Sequence, residues 1–218
     1  MPKTIGVIQV KGGTGRSTLA TNLAGELSKL GQTVLIDGDM PQGTSASWYS
    51  VRQQAGNAGG LDTNLIADTA ANHRELIEKT EHHGKTADYI VLDGPPRIAE
   101  MTRAILMLAD LCLVPVGASV AEVWATADLL TIIEEARKVR PVDARMIWTR
   151  HRAFTNLAKE LSEQAKSELG LPILKTSLSL RVAYPEALGA GETVAESSDQ
   201  NAREELRSLM TEIKRIIR

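Results

Sequence analysis

The chain has 218 residues, a length that suits a single well-cored α/β domain over residues 1–218. Its net charge of −2 excludes a basic field over the whole surface, and aromatic residues at 3% exclude a base-stacking platform for single-stranded nucleic acid. Its single cysteine, Cys112, excludes a disulfide or cysteine-based zinc framework and, lying in the apolar run Leu111 to Val116, reads as a core residue.

Met1-Pro2-Lys3 leads into a short apolar run that ends at Lys11, which is the pattern of neither a signal peptide nor a membrane span, so a cytosolic protein is expected. From there apolar runs alternate with helical patterns to the end of the chain. That alternation predicts an α/β fold, a doubly wound and mostly parallel sheet flanked by helices. Strands are expected at Ile5 to Val10, Thr33 to Ile36, Asn64 to Ala67, Tyr89 to Leu92, Leu111 to Val116, Ala144 to Trp148 and Ile173 to Thr176.

The first helix carries Leu19, Ala20, Leu23, Ala24, Leu27 and Leu30 at helical spacing, with Gly31 as its stop. Gln54 to Thr63, with Gly56, Gly59 and Gly60, reads as a surface loop. Three of the four histidines, His73, His82 and His83, fall in a stretch rich in Glu and Lys and read as a solvated face. On a helix, adjacent His82 and His83 point about 100° apart, which does not suit joint metal ligation. Val123, Ala127, Leu130 and Ile133 mark a later helix; Ser198 or Asp199 caps the terminal one, whose stripe is Leu206, Leu209, Met210, Ile213 and Ile217.

Between the first strand and the first helix stands Lys11-Gly12-Gly13-Thr14-Gly15-Arg16-Ser17-Thr18. Glycines in such a turn let several backbone N–H groups converge on one point, the helix adds its positive N-terminal end, and Ser17 offers a hydroxyl to a phosphate-bound magnesium. The strict pattern G-x-x-x-x-G-K-[ST] fails twice, at Val10 in place of the first glycine and Arg16 in place of the lysine. Two apolar strands then end in acids. Thr33-Val34-Leu35-Ile36 runs into Asp37-Gly38-Asp39, whose carboxylates leave the strand end on one side; Tyr89-Ile90-Val91-Leu92 ends in Asp93-Gly94-Pro95-Pro96, the pattern of an acid that holds magnesium through water. Ligands of open α/β sheets bind at such carboxyl ends.

A lysine directly before Gly-Gly resembles the deviant Walker A box, x-K-G-G-x-G-K-[ST]-[ST], of the ParA/MinD family, from which only Arg16 departs. The resemblance extends through Asp37-Gly38-Asp39-Met40-Pro41-Gln42-Gly43, Asp93 and Val114-Pro115-Val116 to Leu180-Arg181-Val182-Ala183-Tyr184 and Val194-Ala195-Glu196-Ser197-Ser198-Asp199. It is nearest to small ParA proteins without an N-terminal DNA-reading domain, the ParF-type plasmid partition and McdA-type carboxysome-positioning ATPases. The resemblance implies that ATP and magnesium are the cofactors, with Lys11, Gly12, Gly13, Thr14, Gly15, Arg16, Ser17 and Thr18 holding the nucleotide. Lys11 would reach the ATP of a partner subunit, Asp39 would position the attacking water, and Ser17, Asp37 and Asp93 would form or support the magnesium shell. Met40 stands as an extra residue between the second aspartate and Pro41-Gln42, so a differently bent segment is expected after Asp39.

Two basic groups are candidates for DNA contact: Arg145, Arg150, His151 and Arg152 around one strand end, and Lys214, Arg215 and Arg218 on the terminal helix. Together with the resemblance they predict an ATP-bound homodimer on nonspecific double-stranded DNA, cytoplasmic and nucleoid-associated, which positions a plasmid or a protein body such as a carboxysome. A ParB-like or McdB-like adaptor protein would stimulate turnover, and no membrane partner is expected. Two other readings stay open, a MinD-like membrane-surface regulator and a metabolic enzyme of the dethiobiotin synthetase or cobyrinate amidation type.

Overall fold

The computed structural model describes residues 1–59, 63–97, 99–151, 163, 165 and 167–218. Six strands, β1 (Lys3–Val7), β2 (Thr33–Asp37), β3 (Leu65–Thr69), β4 (Tyr89–Asp93), β5 (Leu111–Gly117) and β6 (Ala144–Thr149), lie in the order β3-β2-β4-β1-β5-β6. Every pairing is parallel. Helices α1 (Arg16–Leu27), α2 (Thr44–Gly59), α3 (His73–His83), α4 (Ala99–Leu108), α5 (Val120–Arg137), α6 (Ala183–Ala190) and α7 (Gln200–Ile216) fill the connections.

Alternation along the strands feeds two apolar layers. Ile5, Val7, Leu35, Val91, Leu111 and Leu113 face one layer, with α1, α6 and α7; Val34, Ile36, Ile90, Leu92, Cys112, Val114 and Val116 face the other, with α3, α4 and α5. A sheet covered on both faces explains why these runs are apolar at nearly every position rather than at every second one. Each fully buried leucine or isoleucine in these layers stabilises the fold by about 2 kcal/mol. Burial also pushes the Cys112 thiol up to about 12, which makes it the inert core residue its surroundings suggest.

Several local expectations shift. β1 stops at Val7; the Ile8 N–H still donates to the Leu113 carbonyl at 3.0 Å, and beyond it Gln9 and Lys11 give their carbonyl oxygens to Arg16. No seventh strand forms at Ile173 to Thr176 beyond a single bridge between Met146 and Ile173; the N–H groups of Lys175 and Thr176 donate to the Glu212 carboxylate on α7 at 2.9 and 3.0 Å. The expected loop from Gln54 is helical as far as Gly59, the end of α2, which is pinned to the α6 end by Trp48 donating to the Glu192 carbonyl and Arg52 to that of Gly191. On α5 the buried face is Glu122, Val123, Thr126, Leu129, Ile133 and Ala136, so Ala127 turns outward; polar Glu122 and Thr126 belong to the inner face and hid its phase. Leu30 lies past the end of α1 and is exposed.

The α3 histidines are mostly solvated as expected, except that His83 meets Asp68 at 3.0 Å. Asp199, not Ser198, caps α7 by accepting from the N–H groups of Asn201 and Ala202, and the stripe from Leu206 to Ile217 is buried. Among the described residues no helix is long and apolar enough to cross a membrane.

Candidate functional site

β1 is the strand at which the chain changes direction, with β4 and β2 on one side and β5 and β6 on the other. The loop that follows it therefore opens into the crevice at the carboxyl ends of the strands. Gly13 (φ +75°) and Gly15 (φ +90°) take left-handed backbone conformations, and a β-carbon at Gly12 or Gly13 would meet nothing within 4 Å. Open space thus lies over the loop, where a phosphate chain fits. Gly15 is the N-cap of α1 and supplies no side-chain cap. The first N–H groups of that helix have no intrahelical acceptor, so Arg16, Ser17 and Thr18 present main-chain donors and the positive end of the helix to the same space. From the far side, Thr149 Oγ1 donates to the Thr14 carbonyl at 2.7 Å and ties the loop to the end of β6.

The three acids separate into different tasks. Asp93 is buried at the end of β4; Ser45 Oγ donates to its Oδ2 at 2.6 Å, while Oδ1 has no hydrogen-bond partner. Burial and the nearby charge of Asp37 push this carboxyl up to about 7, against the opposing influence of Ser45, Ser17 and the Arg16 charge. An orphaned, buried carboxylate oxygen beside a P-loop serine suits a hard divalent cation, so Ser17 and Asp93 fit a magnesium ion. Asp37 is engaged differently from the expected support of that shell: its Oδ1 accepts from the Asp39 N–H and its Oδ2 from the Ala46 N–H, both at 2.9 Å. It ties the turn after β2 to the first turn of α2. Asp39, which lines the cavity, turns its Oδ2 to Arg16 Nη2 at 3.4 Å.

Folded Asp93 keeps its proton up to about 7, whereas an ordinary aspartate loses it near 3.8, so stability falls as pH rises between those values. Asp93→Asn is expected to raise the thermal midpoint of the protein at pH 8, with the gain shrinking toward pH 4. Midpoints measured across that range check it; a variant less stable than the parent at pH 8 contradicts the assignment.

Arg16 was expected to hold phosphates, yet its guanidinium lies inside the loop, 6% exposed, on the carbonyls of Gln9, Lys11 and Gly94. Lys11 does not line the cavity of its own chain; its ammonium stands 4.0 Å from Glu122 Oε1, at the start of α5. Glu122 also accepts from Arg150 Nη2 and, at 2.6 Å, from the Gly117 N–H.

The cavity over the loop measures about 410 Å³, in the range of small-molecule sites. Its second wall is Leu178 to Arg181 with Tyr184, Pro185 and Leu188, a surface apolar enough for a base, with Thr149 and Arg150 at the rim. Part of that wall, Leu180 to Tyr184, carries a motif legible in sequence. Gln9, Ser45, Glu122 and Thr149 give no such signal, since each acts through partners far along the chain.

A family model for the ATPase MipZ matches residues 3–161. The chain belongs to the MipZ/ParA family of ATPases. It is 25% identical over 214 residues to maintenance of carboxysome distribution protein A of Halothiobacillus neapolitanus, covering 96% of this chain and 95% of that one. It is also 28% identical to the chromosome-partitioning ATPase Soj of Thermus thermophilus, over 89% and 88% of the two chains. Apo McdA from Cyanothece superposes with a TM-score of 0.82 at 18% identity, covering 98% of this chain and all of that one, and so shares the fold.

Hydrolysis of ATP is the reaction of this MipZ/ParA ATPase. The basic residues fall outside the cavity, with one exception. Arg145 and Arg150 do not share a strand end: Arg145 is the second residue of β6 and Arg150 follows its last, roughly 16 Å away at strand rise. Arg145 is neutralised by a two-pronged pair with Asp143 at 2.8 and 2.9 Å, and Arg150 lines the cavity. Arg152 lies outside the described residues. Lys214, Arg215 and Arg218 are exposed on and just beyond the last turn of α7.

Proposed function

We propose that this ATPase positions a cargo, a plasmid or a protein body, by forming an ATP-gated homodimer on nonspecific double-stranded DNA, in the cytoplasm at the nucleoid. The observation that carries the reading is the placement of Lys11. A cation that belongs to the phosphate loop but lies outside its own cavity is suited to reach a nucleotide held by a second copy. Within each subunit the phosphates rest on the main chain from Gly12 to Thr18, Ser17 and Asp93 hold magnesium, and Asp39 orients the attacking water. When bound there, magnesium would neutralise phosphate charge; phosphoryl transfer otherwise depends on positioning. An adaptor protein would raise turnover on the assembled dimer. The relatives named for carboxysome distribution and chromosome partitioning support a cargo of this kind.

DNA contact is assigned to Lys214, Arg215 and Arg218, with Arg145 removed from the set by its pair with Asp143 and Arg150 by its place at the rim. A membrane-surface role for the last helix is disfavoured because its apolar stripe is already buried against α1 and the sheet.

The test is DNA binding and oligomeric state measured side by side with ATP, with ADP and without nucleotide. Binding is expected only with ATP, because a monomer of net charge −2 presents one small patch and a dimer aligns two. A dimer making about six phosphate contacts loses on the order of a thousandfold in affinity between about 50 and 200 mM salt. Reversing Lys214 and Arg215 to glutamate is expected to abolish DNA binding and to leave ATP binding intact. DNA binding that ignores nucleotide, salt and this reversal overturns the reading.

A further inference from the structure

Arg16 has almost no donor capacity left. Its Nε donates to the Gly94 carbonyl at 2.8 Å, its Nη1 to the carbonyls of Gln9 at 3.0 Å and Lys11 at 2.7 Å, and its Nη2 faces Asp39 Oδ2 at 3.4 Å. A guanidinium has five N–H groups in one plane, so a single Nη2 hydrogen remains for anything else. The partners come from separate pieces of the site: the entry to the phosphate loop, the turn after β4 and the turn after β2. None of these contacts is to the open space above Gly12 and Gly13, where a phosphate chain fits.

We propose that Arg16 is a positioning residue that braces the nucleotide-free site, fastening the phosphate loop, the turn after β4 and Asp39 into one unit, and that ATP binds in competition with this brace. The proposal rests on the reading of Asp39 and the loop as the hydrolytic centre. To serve a phosphate with more than that one remaining hydrogen, the guanidinium has to release Asp39 or part of its main-chain set. A lysine at the same position could not brace the site. Its three donors diverge from one atom and cannot reach carbonyls lying on different edges of a plane. The ammonium would leave those carbonyls to water and stay free for phosphate.

One substitution should therefore move two properties in opposite directions. Arg16→Lys lowers the stability of the free protein, because buried carbonyls lose their donor, and tightens nucleotide, because the competing contacts are gone. A residue that only supports the fold would lower stability without tightening nucleotide, and one that only binds phosphate would lower affinity without lowering the stability of the free protein.

The experiment measures the nucleotide-free thermal midpoint and the dissociation constant for a fluorescent ATP analogue with magnesium. It compares wild type, Arg16→Lys, Asp39→Asn and the double variant. Arg16→Lys is expected to melt lower than wild type and to bind the analogue about fivefold more tightly or better. Asp39→Asn removes a negative charge near the phosphates in either background, so its own gain is not diagnostic. The diagnostic quantity is the coupling: the gain from Asp39→Asn is expected to be larger with Arg16 present than with Lys at that position. Equal gains in the two backgrounds, or an Arg16→Lys variant that binds nucleotide no better than wild type, overturn the brace while leaving the ATPase reading standing. If Arg16→Lys does not fold, Arg16→Gln takes its place in the same cycle. A wild-type protein that binds no nucleotide overturns both.

Discussion

Asp39→Ala is expected to bind ATP, to accumulate as a dimer and to hydrolyse about a hundredfold more slowly or worse than the parent. The carboxylate lines the cavity beside Ser17 and Thr44 but is not part of the phosphate cradle, which is built from main-chain N–H groups and the start of α1. On the proposed role of Asp39, its removal takes away the group that orients water and leaves the ground-state contacts in place, so binding survives and the barrier rises. Its one side-chain partner, Arg16, keeps its three main-chain bonds, so the loop should stay folded. Steady-state phosphate release, together with sedimentation in ATP, checks both halves. Full hydrolysis in this variant would move the catalytic role to another acid.

The second large effect is expected at Lys11. Lys11→Ala should keep nucleotide binding close to that of the parent and lose ATP-dependent dimerisation altogether, and with it DNA binding. Within its own subunit the ammonium is a half-exposed rim charge whose nearest acid is Glu122 at 4.0 Å. An ion pair of that length and exposure adds little to stability, so the fold loses little when it goes. A dimer that survives the substitution in sedimentation would remove the in-trans role. The same result would leave the cavity assignments untouched, since Lys11 takes no part in the cavity wall.

How much of this was legible beforehand follows from the range over which each signal acts. The sheet was legible because a strand covered on both faces is apolar nearly throughout, and the runs of β1, β2, β4 and β5 needed no partner to be recognised. The phosphate loop was legible because its glycines, Ser17 and the following helix are neighbours in sequence. Asp93 was visible as an acid at a strand end, but its orphaned Oδ1 depends on where Ser45 and Asp37 stand. Strand alternation alone puts Asp37 and Asp39 on one side, and the fold gives them different partners, one capping α2 through the Ala46 N–H and one facing Arg16. The two ends of β6 looked like one basic cluster because sequence distance is short where strand rise is long. Ile173 to Thr176 carried strand-like residues, yet Glu212 on α7 claims the N–H groups that a sheet edge would have used.

The order of the strands also bears on how this ATPase comes to exist. β1, made before the other five strands described, has neither of its neighbours nearby in the chain: Lys3 pairs with Tyr89 and Ile5 with Leu111. Until β4 and β5 are synthesised, the strand that carries the phosphate loop has no ladder on either side, and the loop has no platform to hold its glycines in their left-handed turns. Pairings between such distant segments make folding slow, because the closure of long loops precedes the contacts that reward it. Nucleotide binding is thus a property of more than half the finished chain, and a growing polypeptide that ends before Leu111 should not retain ATP, however complete its loop.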